Sequence, residues 1–182
     1  MTISAEEAMA VYRSADQLYS REEVEAALDR MAAEITGRLA DSDPIVLCVM
    51  NGGLIPSGHL LTRLDFPLRV DYVHATRYRG EMSGRELHWL RPPEELLEGR
   101  EVLILDDILD EGVTLAAIVE GCRNQGATGV YTAVLVRKRH GRSNGFKADF
   151  VGLEAEDRYL FGYGMDYKGY LRNATGIYAV TQ

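Results

Sequence analysis

"LILDDILDEGVTL", residues 103–115, ends an apolar run on two adjacent carboxylates, adds two more acids within four residues, and then offers a glycine and a threonine where a helix would begin. Acids this close repel one another. A stretch serving the fold alone would gain nothing by gathering them, so the pattern points to a ligand that is cationic or rich in hydroxyls. The preceding segment "EVLILDD" is apolar on both faces, as buried parallel strands are. Beyond the turn, Leu115, Ile118, Val119 and Cys122 share one face of a helix expected from Val113 to Gln125, which Gly126 ends. Asp106 and Asp107 therefore fall at the carboxyl end of a buried strand, where ligands of open α/β sheets bind.

The turn between them leads into a helix N-terminus. The backbone amides of Glu111, Gly112, Val113 and Thr114, with the Thr114 hydroxyl, can wrap a phosphate, favoured by the helix dipole and by converging N–H groups. Gly112 lets the backbone come close. A phosphate cradle beside paired carboxylates suits a sugar phosphate, with the anion in the cradle and the hydroxyls on the acids. The competing reading is a magnesium-binding strand end of a nucleoside triphosphatase. It requires GxxxxGK[ST], and the nearest approach, "GLIPSGHL" at 53–60, has His59 and Leu60 where Lys and Ser or Thr should stand. A dinucleotide-binding reading of "GYGMDYKG" fails as well, because that stretch neither follows a strong strand nor opens an apolar helix.

Working outward, the remaining chain alternates strands and helices. Ser14 with Gln17 and Ser20 with Glu23 are spaced as capping boxes. Val24, Leu28, Met31, Ile35 and Leu39 then recur at helical spacing, which predicts an amphipathic helix over 21–40. "IVLCVM" (45–50) is a buried strand that stops at the turn "NGG" before a helix from Ile55 to about Arg63. A strand near Leu68 to Ala75 runs into a polar connection of about twenty-five residues, a length that marks functional loops. Further strands are expected at 130–136, 149–155 and in "GIYAV". This order predicts a mostly parallel α/β sheet.

Length and composition bound the rest. With 182 residues, 46% of them apolar, the chain suits one well-buried core. No apolar run is long enough to span a bilayer and the N-terminus lacks a leader pattern, so the expectation is a cytoplasmic protein without membrane contact. Cys48 and Cys122 sit apart in apolar segments and read as buried thiols. The net charge of −8 argues against a nucleic-acid partner, and its concentration in residues 1–44, ten acids against four bases, has the ordinary explanation of a solvated helix face.

Two acids, two apolar residues, Asp, an acid, Gly, any residue and Thr, all after an apolar strand, resemble the phosphoribosyl pyrophosphate motif of type I phosphoribosyltransferases. The likeness continues through "LVRKR", "FKADFVGLE" and "YLFGYGMDYKGYLRN", which are specific to the hypoxanthine-guanine phosphoribosyltransferase branch, and it covers roughly residues 45–175. The resemblance implies the type I fold: a central, mostly parallel twisted sheet flanked by helices, with a small hood built from terminal segments and a mobile active-site loop. It implies one domain over 1–182, with an N-terminal helical region at 1–44, the mobile loop at 76–98 and a base-recognition hood segment at 153–175. By the same resemblance Asp106 and Asp107 bind the ribose hydroxyls directly or through Mg²⁺, and Glu111 to Thr114 hold the 5′-phosphate. Asp110 falls beneath the five-membered ring of the purine, where a carboxylate can manage the N7 proton. Lys138 donates to the purine O6; an ammonium has donors and no acceptor, which favours a 6-oxo over a 6-amino group. Tyr159 stacks on the base, the Leu160 backbone meets its far edge, Asp166 binds the base from the metal and pyrophosphate side, and Arg172 lies near the leaving group.

Alone, Arg137 to Arg139 read as a solvated basic cluster and Tyr159 as core; their spacing to "DFVG" favours the functional readings. Two departures from the family pattern stand out. Its first loop carries Lys before a Gly pair, where this chain has Asn51, Gly52 and Gly53, whose amides can still bind pyrophosphate. Arg77 replaces a serine of the mobile loop and is a candidate for the missing charge. The implied activity is transfer of a phosphoribosyl group from phosphoribosyl pyrophosphate to a 6-oxopurine, with Mg²⁺ as cofactor, in a homodimer or homotetramer. The rival is a non-catalytic sensor of phosphoribosyl pyrophosphate. Such a protein normally needs a nucleic-acid-binding surface, and no basic or helix-turn-helix segment is seen.

Overall fold

The computed structural model describes residues 3–77, 87–141 and 145–181, except the side chains of residues 76, 77, 87 and 88. The chain opens with α1 (Ala5–Ser14), β1 (Asp16–Tyr19), α2 (Arg21–Leu39), β2 (Ile45–Val49), α3 (Leu54–Leu61) and β3 (Arg69–Arg77). There follow β4 (Leu87–Arg91), β5 (Glu101–Leu109), α4 (Val113–Asn124), β6 (Gly129–Arg139), β7 (Phe150–Glu156), β8 (Leu160–Phe161) and β9 (Ile177–Ala179).

Six strands form the central sheet in the order β4-β3-β2-β5-β6-β7, parallel except for the edge pair β3 and β4. The two-sided apolar character of its inner strands has a direct cause. Val46, Leu103, Leu105 and Leu135 point to the α2 side, where they meet Val24, Leu28, Met31 and Ile35. Ile45, Leu47, Ile104 and Val134 point to the other side, against Leu115, Ile118 and Cys122 of α4. Period-two alternation thus feeds two cores. Ile104 is fully buried, and truncating it to alanine would cost about 2–5 kcal/mol. This packing fixes the strand register that places the carboxyl ends of β2, β5 and β6 beside one another.

A second sheet, β1-β9-β8, is antiparallel and joins the N-terminal segment to the C-terminal one, as expected of a hood. Its inner surface is aromatic, with Phe161 and Tyr178 stacked at 5.4 Å and Tyr12 edge-on to Tyr178 at 4.9 Å.

Two local expectations fail. Ser14 does not cap a helix: it ends α1, its hydroxyl donating to the carbonyls of Ala10 and Val11, and Gln17 lies in β1. The helix starts a full ten residues earlier, at a capping box of Ser4 and Glu7, and "DQLY" becomes a strand because β9 supplies its partner. The Ser20–Glu23 box holds as read. The long polar connection is also not all loop, since Leu87–Arg91 pairs with β3. Of the segment 76–98 anticipated as mobile, residues 78–86 lie outside the described residues. Asp71 anchors its return: it is buried, bonded to Arg91 at 2.8 Å, and accepts the amides of Glu94 and Glu95.

Candidate active site

β5 runs four residues past its last pairing with β2, at Cys48 and Leu105, so Asp106 and Asp107 emerge at the sheet's carboxyl edge, the first partly buried and the second buried. The amide of Asp107 donates to Asp106 Oδ1 at 2.9 Å. Burial, and then the neighbouring charge of Asp107, push the Asp106 carboxyl well above the usual range. Burial also raises Asp107, although a hydrogen bond with Asp106 and the charge of Arg172 pull against it. A ligand bringing hydroxyl donors or a cation would relieve both.

The next residues form the cradle. Gly112 takes a left-handed conformation (φ 83°) at the N-cap of α4, which carries no side-chain cap hydrogen bond. Amides that a capping side chain would satisfy therefore face a cleft of about 180 Å³ lined by residues Asp106 to Leu115. The predicted phosphate set of Glu111, Gly112, Val113 and Thr114 lies together there.

A second cleft, of about 330 Å³, adjoins it and is lined by Asp107, Ile108, Asp110, Lys138, Tyr159, Leu160, Met165 and Asp166. All four residues assigned to the base from sequence, Lys138, Tyr159, Leu160 and Asp166, meet in this one space. Lys138 reaches it from β6, with Nζ 3.1 Å from Asp110 Oδ2 and 3.8 Å from Asp157 Oδ1. His140 Nε2 lies 2.6 Å from the other Asp110 oxygen. Burial works to raise Asp110, but the hydrogen bond and charge of Lys138, followed by those of His140, hold its carboxyl below the usual range. Tyr159 is half exposed, its ring edge-on to Tyr167 at 5.3 Å, and its carbonyl accepts from Val180 at 2.9 Å. Leu160 is buried in β8 opposite Ala179.

The hood closes onto the loop after β2. Gly164 has φ 108°, and a Cβ there would stand 2.1 Å from the Gly52 carbonyl oxygen. A Cβ on Gly52 would in turn stand 2.1 Å from Asp107 Oδ2. Three backbone and carboxylate layers are thus packed without room for a methyl group, which explains both glycines. Arg172 fastens the arrangement, donating to the Gly164 carbonyl at 2.5 Å and pairing with Asp166 at 2.7 Å. Asn51 is exposed, the Met50–Asn51 peptide is cis, and the Gly53 amide is used by the Val49 carbonyl at 2.8 Å. Arg77 ends β3 opposite Leu87, and its side chain lies outside the described residues.

Among the described residues, the three ligating side chains whose donor atoms gather within 4.8 Å of one another are Asp110, His140 and Asp157, a different set from Asp106, Asp107 and Asp166. Sequence reasoning passed over His140, Asp157, Ile108 and Met165. His140 carried a usable signal: it stands two residues after Lys138 on an extended segment, so both side chains leave the same face.

Residues 14–168 match the family described as phosphoribosyl transferase domain. The hypoxanthine-guanine phosphoribosyltransferase of Bacillus subtilis (strain 168) is 34% identical over 157 residues, covering 86% of this chain and 87% of that protein. In fold, the chain superposes on a hypoxanthine phosphoribosyltransferase from Staphylococcus aureus with a TM-score of 0.88 at 23% identity, covering 94% and 95% of the two chains. It also superposes on the hypoxanthine phosphoribosyltransferase of Trypanosoma cruzi complexed with the product IMP, with a TM-score of 0.85 at 25% identity and 93% coverage of each.

Proposed function

The chain belongs to the phosphoribosyltransferase family, in its hypoxanthine-guanine branch, and on that premise we propose how the two joined clefts carry out purine salvage. The reaction transfers the 5-phosphoribosyl group of phosphoribosyl pyrophosphate to N9 of hypoxanthine or guanine, giving IMP or GMP and pyrophosphate. The observation that carries this reading is Asp110, held ionised by Lys138 between a phosphate cradle and the pocket beneath Tyr159.

In this reading the 5′-phosphate occupies the amides of residues 111–114, and the ribose hydroxyls meet Asp106 and Asp107. The purine lies against Tyr159 with O6 toward Lys138 and N7 toward Asp110. N9 attacks C1′ with inversion as the bond to pyrophosphate breaks, and Asp110 accepts the proton from N7. The amides of Asn51 and Gly52 face the departing pyrophosphate, the Gly53 amide being taken by the Val49 carbonyl; Arg172 and Asp166 border the same side. Catalysis is then mostly positioning and charge stabilisation. Ionised Asp110 is needed for proton acceptance, and Lys138 and His140 favour that form despite its partial burial.

Asp106 and Asp107 fit Mg²⁺: two mutually repelling oxygen donors, one buried and one partly so, beside a phosphate site are the kind of partial shell this ion completes with substrate oxygens. When bound, Mg²⁺ neutralises charge on the pyrophosphate leaving group. The working assembly is a homodimer or homotetramer, supported by exposed Val70 and Tyr72 on β3 and Leu90 on the edge strand β4. Its compartment is the cytoplasm, in keeping with two free, buried cysteines.

The test is product formation from phosphoribosyl pyrophosphate and Mg²⁺ with hypoxanthine, guanine, xanthine, adenine, uracil and orotate. Turnover confined to the 6-oxopurines is expected. Silence with all six bases, in a folded protein that binds phosphoribosyl pyrophosphate, would leave the sensor.

A further inference from the structure

His140 has no part in the reading above, yet its imidazole is the closest side chain to the carboxylate on which that reading turns. The ring is nearly enclosed, with a side-chain exposure of 5%, whereas the Asp110 carboxylate it touches is 43% exposed. The two Asp110 oxygens are shared out: Oδ2 faces Lys138 Nζ at 3.1 Å and Oδ1 faces His140 Nε2 at 2.6 Å. Lys138 lies at the end of β6 and His140 one residue beyond it, while Asp110 sits on the turn between β5 and α4. A carboxylate on a turn, nearly half exposed, would by itself sample several rotamers. Two donors from a rigid strand end leave it one.

We propose that His140 is a positioning residue for Asp110, its Nε2–H donating to Oδ1 so that the carboxylate is fixed in orientation and kept ionised for the purine. The inference rests on Asp110 being the group that accepts the N7 proton. A lysine alone would not suffice for this task, because its ammonium is also drawn to Asp157 and, on the proposed reading, to the purine O6. When the base engages Lys138, the imidazole remains on Asp110 and preserves its geometry. Among the described residues, the charged and titratable groups facing Asp110 are Lys138 and His140 from β6 and just beyond it, Asp157 from the turn after β7, and Asp107 and Asp166 across the shared cleft. Of these, only Lys138 and His140 favour its ionised form.

The experiment compares His140→Phe, which keeps a ring but has no donor, with His140→Gln, which restores one, and runs Asp110→Asn alongside. Each is assayed with hypoxanthine, phosphoribosyl pyrophosphate and Mg²⁺ from pH 3 to 8, a window that reaches the carboxylate range. His140→Phe should lower kcat by about tenfold, the scale of a displaced catalytic group, with the KM for phosphoribosyl pyrophosphate unchanged. The acid limb of its pH profile should move to higher pH, because a carboxylate that loses a donor protonates more readily. His140→Gln should recover most of kcat and return the limb toward its original position. An unchanged kcat and limb in His140→Phe would overturn the proposal, as would a uniform loss that Gln does not rescue. Should Asp110→Asn keep full turnover, the assignment of Asp110 falls and this inference with it. If Asp110→Asn is inactive while His140→Phe behaves as the native protein, only the inference falls.

Discussion

Asp106, in β5, and Asp110, on the turn that follows, stand four residues apart and live in opposite electrostatic settings. At the sugar end, Asp106 is shut away beside a second carboxylate, and burial with like charge makes ionisation costly. At the base end, Asp110 is nearly half exposed and carries its own partners, the Lys138 ammonium and the His140 ring, which make ionisation easy. The difference is instructive about how one loop can serve two chemistries. On the proposed reading, the under-compensated pair is completed by what the ligand brings, hydroxyl protons and a divalent cation. The over-compensated carboxylate is complete beforehand, so it can accept a proton without waiting for a partner.

The hardest test of this division is Asp110→Asn. An amide cannot take the N7 proton, so kcat should fall by ~10²–10³, the usual contribution of a positioned acid or base. Affinity for phosphoribosyl pyrophosphate, measured calorimetrically with Mg²⁺, should remain within about twofold because the sugar end is untouched. A parallel loss of both would show that the two ends are one electrostatic unit.

Next in size is Lys138→Ala. It removes a charge-assisted hydrogen bond worth ~1.5–3 kcal/mol, so kcat/KM for hypoxanthine should drop by about 10–100-fold. The ratio of hypoxanthine to adenine turnover should narrow at the same time, since no fixed donor would then demand a 6-oxo group. Steady-state rates with both bases decide it. A large loss with the ratio intact would confine Lys138 to its role on Asp110.

The base end was also harder to read from the chain than the sugar end, for a physical reason. Asp106, Asp107 and residues 111–114 lie in one continuous strand, turn and helix, and each is placed by local rules: a buried strand end, a left-handed glycine, an uncapped helix N-terminus. Lys138, Tyr159, Leu160 and Asp166 reach their cleft only because β6 pairs with β5 and the hood folds back, contacts distant in sequence that required family resemblance to anticipate. His140 was missed because that resemblance assigns it nothing, although its alternation with Lys138 was visible. The same distinction governs the fold. The inner strands and α2 follow from apolar periodicity, whereas β1 and β4 are short polar edge segments that become strands only through β9 and β3. The contact of Gly164 with Gly52 has no local signature beyond the glycines themselves.

The smallest expected effect is on stability, and it distinguishes the two ends by sign. The Asp106 carboxyl has a higher pKa folded than unfolded, so the folded state holds its proton longer. Its contribution to stability therefore declines as pH rises from the unfolded value, about 3.9, through the folded one, and stays low above that. Asn in its place keeps an oxygen to accept the Asp107 amide and removes a buried charge. Asp106→Asn, free of Mg²⁺ and phosphoribosyl pyrophosphate, should then raise the Tm at pH 7.5 by about 2–4 °C, equivalent to ~1 kcal/mol in a chain of this size, with little change near pH 4. Asp110 has a folded pKa below its unfolded one, so its stabilisation is present above the unfolded pKa and disappears as pH falls through the folded value. Asp110→Asn should lower the Tm at pH 7.5, by less, because solvent screens a half-exposed carboxylate. Thermal melts of both variants across pH 4 to 8 make the comparison directly. Shifts of the same sign would mean that burial and compensation do not separate the two ends of the turn.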